Sequence, residues 1–156
     1  MLNQKIAGLM LATFFLSTPN IALAETNWLI TPTEAAKVRA SVGDFKELVS
    51  AKEGPGPEIT VKAPKVLSRL ASPVDIFITF TPGKSGQLPD MKTLTVTLVG
   101  LFNINITDRL RKYIKGENLA ISKAALPPGR HRLRMAIKDV AGNPNERDVV
   151  VVVVKN

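Results

Sequence analysis

The chain has 156 residues, with 21 Lys and Arg against 13 Asp and Glu, a formal charge of +8 and no cysteine. The missing cysteines exclude a disulfide framework, a thiolate nucleophile and a thiolate metal site. The basic balance suits acidic partners, namely anionic lipid headgroups, acidic glycans or an acidic protein face, and it equally suits a merely soluble surface.

Residues 1–24 read as a secretory signal peptide. Lys5 stands near the start, an apolar run covers Ile6–Leu16, and Ala22-Leu23-Ala24 supplies a small-residue cleavage site. The run is too short to span a bilayer and no stop-transfer charges follow it, so cleavage after Ala24 is expected. Lys5 is the only charged residue of this leader, so the processed chain would carry +7. Export to the periplasm or the cell exterior removes nucleic acid from the expected partners. An exported chain that needs no disulfide suits a bacterial envelope. The six valines Val149–Val154 are of strand length, so no transmembrane segment is expected in the processed chain.

Residues 25–53 form an N-terminal extension. Thr31-Pro32-Thr33-Glu34 is a helix start, with Thr31 at the N-cap, Pro32 in the first turn and Glu34 closing a capping box. Ala35, Val38, Val42, Phe45 and Val49 then recur at steps of three and four, which predicts a short amphipathic helix weakened at Gly43. The stripe has two uses: docking on the chain's own body, or binding a partner chain or membrane through Val38, Val42 and Phe45. Gly54-Pro55-Gly56-Pro57 sustains neither helix nor central strand and reads as a linker or a sharp entry turn.

From residue 58 to 156 the apolar period is two. Ile59 and Val61 begin one strand. Val74, Ile76, Ile78 and Phe80 share one face of the next, and Leu94, Val96 and Leu98 share a face of a third. Phe102, Ile104 and Ile106 are expected to form a fourth, and Leu119 and Ile121 a short fifth. After the turn Leu126-Pro127-Pro128-Gly129, Leu133, Met135 and Ile137 alternate. After Asp139–Pro144 the valine run follows, expected to be a central strand buried on both faces. About seven short strands between Gly/Pro turns predict an all-β, antiparallel sandwich behind a helical extension.

The stretch Leu126-Pro127-Pro128-Gly129-Arg130-His131-Arg132-Leu133, followed by Asp139-Val140-Ala141-Gly142-Asn143, resembles the end of a bacterial immunoglobulin-like domain. Ser72-Pro73-Val74-Asp75-Ile76 and Asp90-Met91-Lys92-Thr93-Leu94 sit where strands B and C of that pattern fall. The resemblance implies an immunoglobulin-like sandwich of the adhesion, spacer or binding kind. The single copy behind a helical extension departs from the usual tandem arrays.

His131 is the only histidine, and its alternation puts it on the face of Leu133, where a structural role outweighs a catalytic one. One histidine without cysteine leaves no set of zinc ligands, and no cofactor is implied. Asp139 with Gly142-Asn143 reads as an Asx turn rather than a calcium loop. Glu146 and Asp148 share a strand face with Arg147 between them, which is a solvated face unless another carboxylate faces them.

The most specific feature is a basic stripe. Arg130, Arg132, Arg134 and Lys138 leave one face of one strand, with the first three about 7 Å apart in succession. Such a row repels itself unless it meets acids across the strand pair, for which Asp148 and Glu146 are placed, or an anionic ligand. Arg109, Arg111, Lys112 and Lys115 with Tyr113 either extend the stripe or form an ordinary exposed loop. The expected function is therefore that of a non-enzymatic binding or accessory module of the bacterial envelope. Its partner would be an envelope protein or an acidic glycan or lipid surface. The alternative is a structural subunit docking through its N-terminal helix.

Overall fold

The computed structural model describes residues 28–39, 51–65, 69–100 and 102–155. The expected leader, and Val42, Gly43, Phe45 and Val49 of the apolar stripe, lie outside these residues.

The elements in chain order are α1 (Pro32–Arg39), β1 (Glu58–Ala63), β2 (Arg69–Ala71), β3 (Val74–Thr81), β4 (Pro89–Leu98), β5 (Ile104–Asn105), α2 (Thr107–Arg111), β6 (Ile114–Lys115), β7 (Asn118–Ala124), β8 (Gly129–Asp139) and β9 (Pro144–Val154). They form two sheets, one ordered β1-β3-β7-β6 and the other β2-β9-β8-β4-β5. All pairings are antiparallel except that of the three-residue β2, which runs parallel to the end of β9. The strands beyond the expected seven are β2 and β6, pieces of three and two residues too short to show a period in sequence.

The core lies between the sheets and is filled by the alternating residues. On β3, Val74, Ile76, Ile78 and Phe80 are buried while Asp75 and Phe77 are exposed, as the alternation predicts. Leu94, Val96 and Leu98 of β4 and Leu133, Met135 and Ile137 of β8 complete the interior from the facing sheet. Each such side chain contributes about 1.5–3 kcal/mol on burial. The valine run is not buried on both faces. Val149, Val151 and Val153 enter the core, whereas Val150 and Val152 are half-buried, because their face is the outer surface of the sheet.

The segment Phe102–Ile106, expected to be a fourth strand, gives only the two-residue β5 and leads into the helix α2. Only Ile104 and Asn105 pair with β4. The Asn105 side chain then accepts the Thr107 N–H at 2.9 Å, turning the chain into α2, and Ile106 and Leu110 enter the core at helical rather than strand spacing. The Thr107 hydroxyl accepts the Val96 N–H at 2.8 Å, doing for β4 what a strand partner would have done.

The N-terminal segment is part of this body. Trp28 bridges Ala125 in parallel, and the Leu29 N–H donates to the Ala125 carbonyl at 3.1 Å. The capping box is present: Thr31 N–H donates to Glu34 Oε2 at 2.9 Å and Glu34 N–H to Thr31 Oγ1 at 3.2 Å. Ala35 and Val38 are buried, and a side chain at Gly100 would meet Val38 Cγ1 at 2.6 Å, so glycine lets α1 approach. Arg109 of α2 fastens the helix. Its guanidinium donates to the Leu29 carbonyl at 3.1 Å and to the Glu34 carboxylate at 2.8 and 2.5 Å.

Residues 51–57 lie along the start of β9. Lys52 and Glu146 exchange bonds, with Lys52 N–H to Glu146 Oε2 and Glu146 N–H to the Lys52 carbonyl, each 3.1 Å. Gly54 N–H donates to Asn145 Oδ1 at 2.8 Å and Gly56 N–H to the Pro144 carbonyl at 3.1 Å. A Cβ on Gly56 would fall 2.3 Å from the Asn143 carbonyl oxygen, so the Gly-Pro stretch is a closely packed entry turn. Two side chains of β9 return the cover to the edge of β1. Asn145 Nδ2 donates to the Pro57 carbonyl at 2.7 Å and Arg147 Nη1 to the Ile59 carbonyl at 2.6 Å.

The Arg109 bond, set against the opposing effect of burial and helped by Thr31, holds the Glu34 carboxyl down from 4.5 to about 2. A depressed carboxyl stabilises the fold fully above its unfolded value and loses that contribution as pH falls through the folded one. Glu34→Gln should therefore destabilise the chain above pH 4.5 and remove part of the stability loss between pH 4.5 and 2, read from urea melts across that range.

Candidate functional site

β8 divides its side chains between two tasks. His131, Leu133, Met135, Ile137 and Asp139 are buried on the inner side. Arg130, Arg132, Arg134 and Lys138 leave the outer face of the five-stranded sheet. The register with β9 sets Arg130 beside Val152, Arg132 beside Val150, Arg134 beside Asp148 and Ala136 beside Glu146. On the other side, Lys138 is in register with Asp90 of β4.

The stripe is thus one row in which the members differ. Arg130 and Lys138 are exposed, Arg134 is half-buried, and Arg132 is only 8% exposed. Arg132 and Arg134 converge on Asp148. Arg132 donates from Nε to Oδ2 at 3.0 Å and again from Nη2, and Arg134 donates from Nε to Oδ1 at 2.9 Å and from Nη2 to Oδ2 at 3.1 Å. The Ala51 N–H donates to the same Oδ2 at 3.2 Å. Burial pushes the Asp148 carboxyl up, but the bonds from Arg134 and Arg132 outweigh it and the group titrates below its usual range. The Asp148 bond likewise raises Arg134. Of the two acids placed across from the stripe, Asp148 bridges the arginines, while Glu146 accepts the Lys52 N–H.

The other basic cluster is turned elsewhere. Arg109 faces α1 through Glu34, Arg111 pairs with Asp108 at 3.0 Å, and the Lys112 ammonium lies 5.0 Å from the centre of the Tyr113 ring. Val38 is 4% exposed and belongs to the chain's own core, and Val42 and Phe45 lie outside the described residues. His131 is 2% exposed and donates from Nε2 to the Pro127 carbonyl at 2.7 Å; burial lowers its pKa, so the ring is held neutral beside the turn that starts β8. Asp139 is the hub of an Asx turn. Its carboxylate accepts Ser85 Oγ–H at 2.6 Å, the Ala141 N–H at 2.9 Å, and Asn143 through its N–H and its side chain, each at 2.8 Å. Burial works against the Asp139 charge, but these bonds prevail and its pKa is lowered. Gly142 takes the positive φ of 87° that the turn requires.

Sequence reasoning missed two features of this region. One is the attachment of Ala51 to Asp148, across 97 residues, which has no local signal. The other is a groove of about 800 Å³ between Glu58-Ile59, the Pro82–Lys84 loop and Asn145–Arg147, lined by the acids Glu53, Glu58 and Glu146 and the cations Lys84 and Arg147. No helix among the described residues is long and apolar enough to cross a membrane.

The strand orders β1-β3-β7-β6 and β9-β8-β4 are those of strands ABED and GFC, and they define an immunoglobulin-like sandwich. No family model matches the chain, and no curated protein matches it. Among solved structures, the PKD domain from the human VPS10 domain-containing receptor SorCS2 is similar at 13% identity and a TM-score of 0.36, over 70% of this chain and 81% of that one. A likeness of that looseness carries no argument about what the chain does.

Asp148 faces two guanidiniums that cannot both be well solvated without it. Asp148→Asn should lower stability by about 2–3 kcal/mol, and adding Arg132→Met to that variant should restore part of the loss. Denaturant melts of the single and double variants measure both.

Proposed function

We propose that this chain is an exported, non-enzymatic binding or accessory module of the bacterial envelope, periplasmic or extracellular, which recognises an anionic ligand or an acidic protein face through the outer surface of its five-stranded sheet. The observation that carries the reading is the sharing of one carboxylate, Asp148, by Arg132 and Arg134. That arrangement keeps a surplus of positive charge at a fixed place, between the exposed Arg130 and Lys138. Arg132 and Arg134 spend their forks on Asp148 and supply the field; Arg130 and Lys138 make the contacts.

Further support comes from the leader-like residues 1–24. Two groups suited to proton transfer are committed to the fold, His131 to the Pro127 carbonyl and Asp139 to its turn. The alternative of a structural subunit docked through the N-terminal helix loses Val38, whose side chain is occupied by the core.

The test is charge reversal at the two exposed cations. Arg130→Glu/Lys138→Glu should weaken salt-sensitive retention on immobilised dextran sulfate by about tenfold or more, with circular dichroism and melting temperature unchanged. Retention equal to that of the unaltered chain would sink the proposal.

A further inference from the structure

Beside β7 lies a pocket of about 130 Å³ in which the chain's only tryptophan and only tyrosine meet. Its buried part is apolar, made by Leu29, Ile121 and Ala124. Trp28, 37% exposed, and the half-buried Tyr113 bring two aromatic rings to it, and the side chains of Arg109 and Lys112 complete the lining. These parts are held in place by the fold. Trp28 bridges Ala125, and the Leu29 N–H donates to the Ala125 carbonyl at 3.1 Å. The Tyr113 N–H donates to the Leu110 carbonyl at 2.9 Å, and the Tyr113 carbonyl accepts the Ala120 N–H at 3.1 Å. Arg109 is fixed by the Leu29 carbonyl and by Glu34. The pocket is thus formed before any ligand enters it.

Its charge is positive. Among the described residues no carboxylate lines it. The acids on the surrounding elements are engaged or distant: Glu34 pairs with Arg109, Asp108 pairs with Arg111, and Asp75 of β3 accepts the Lys123 N–H at 2.8 Å. Glu117 stands before the start of β7, at the opposite end of that strand from Ala124. The Glu34 charge offsets that of Arg109, which leaves Lys112. Its ammonium is exposed, lies 5.0 Å from the centre of the Tyr113 ring, and pairs with no carboxylate among the described residues.

Size and polarity select the ligand. A cavity of about 150 Å³ takes one benzene ring, so this pocket suits a single six-membered ring. Apart from the Trp28 indole and the Tyr113 hydroxyl, the polar groups of the lining side chains are the two cations. No amide, carboxylate or aliphatic hydroxyl is there to partner the hydroxyls of a sugar ring, whereas an aromatic ring can stack against Trp28 or Tyr113. We infer that this pocket binds an aromatic ring bearing a carboxylate one or two carbons away, with the ring between Trp28 and Tyr113 and the carboxylate on Lys112. A free aromatic acid and the C-terminal phenylalanine of a peptide share that chemistry. The inference goes beyond the function proposed above and uses neither the arginine stripe nor the location of the chain.

Trp28 reports on the pocket directly, because its emission is the chain's only tryptophan signal. The experiment titrates the processed chain with phenylacetate, with phenylacetamide, and with the tripeptide Gly-Gly-Phe in its free-acid and amidated forms. A saturable change in emission is expected with millimolar phenylacetate or free-acid peptide and not with the two amides. Tighter binding of the free-acid peptide than of phenylacetate would identify a chain terminus as the ligand, and the reverse order a small acid. Lys112→Gln should raise Kd about tenfold or more with the melting temperature unchanged, since this lysine is exposed. No saturable change with either acid, equal binding of acids and amides, or binding that Lys112→Gln leaves intact overturns the inference.

Discussion

Two guanidiniums on one face of a strand repel each other, and a sheet that carries them needs a counter-charge in fixed register. Asp148 supplies it, and much of the molecule is arranged around that carboxylate. It ties β8 to β9 through Arg132 and Arg134, and it accepts the Ala51 N–H, which starts the run of residues 51–57 along β9. Because the acid is shared, the pair is neutralised by half. The same bonds that hold the sheet together therefore leave one positive charge of the pair uncompensated by Asp148.

The second constraint is the protection of edges. A sandwich has strands whose carbonyls and amides face outward, and the described chain covers them with means drawn from its own sequence. Asn145 and Arg147 bond the outward carbonyls of Pro57 and Ile59. The Thr107 hydroxyl and the Ile106 N–H complete the bonds of Val96, and Trp28-Leu29 lies beside the end of β7 at Ala125. The N-terminal residues thus serve the body as cover, with the Glu34–Arg109 pair as their fastening. Buried side-chain polar atoms among the described residues all have hydrogen-bond partners, as such close accounting requires.

What was legible in the sequence follows from the range of the signal. The alternation of Val74, Ile76, Ile78 and Phe80 declared a half-buried strand, and Thr31 with Glu34 declared a helix start, because both depend on neighbours a few residues away. The stripe of Arg130, Arg132 and Arg134 was visible for the same reason. Its distribution of burial was not, since that depends on pairing with Asp148, and a shift of register by one residue would have given a different face. The alternation of Phe102, Ile104 and Ile106 misled because the Asn105 side chain accepts the N–H of Thr107, two residues on, and ends the strand there. The two-face burial expected of the valines failed for want of knowledge of the second layer, as composition cannot say which side of a sheet is covered.

The bonds between residues 51–57 and β9 bear on the order in which the molecule can be completed. Ala51 and Asp148 are 97 residues apart, and Lys52 and Glu146 are 94 apart. A chain made from its N-terminus has the entry turn in place long before its acceptor exists, and no nearer segment offers the same bonds. The last strand is also the one that pairs with β8 along its whole length, so the arginine row lacks its counter-charge until the same moment. Non-local closure of this kind makes for slow, all-at-once folding rather than growth from one end. A chain that stops short of β9 would lose more than a strand, because its N-terminal cover and its outer sheet face would both be left without their partner.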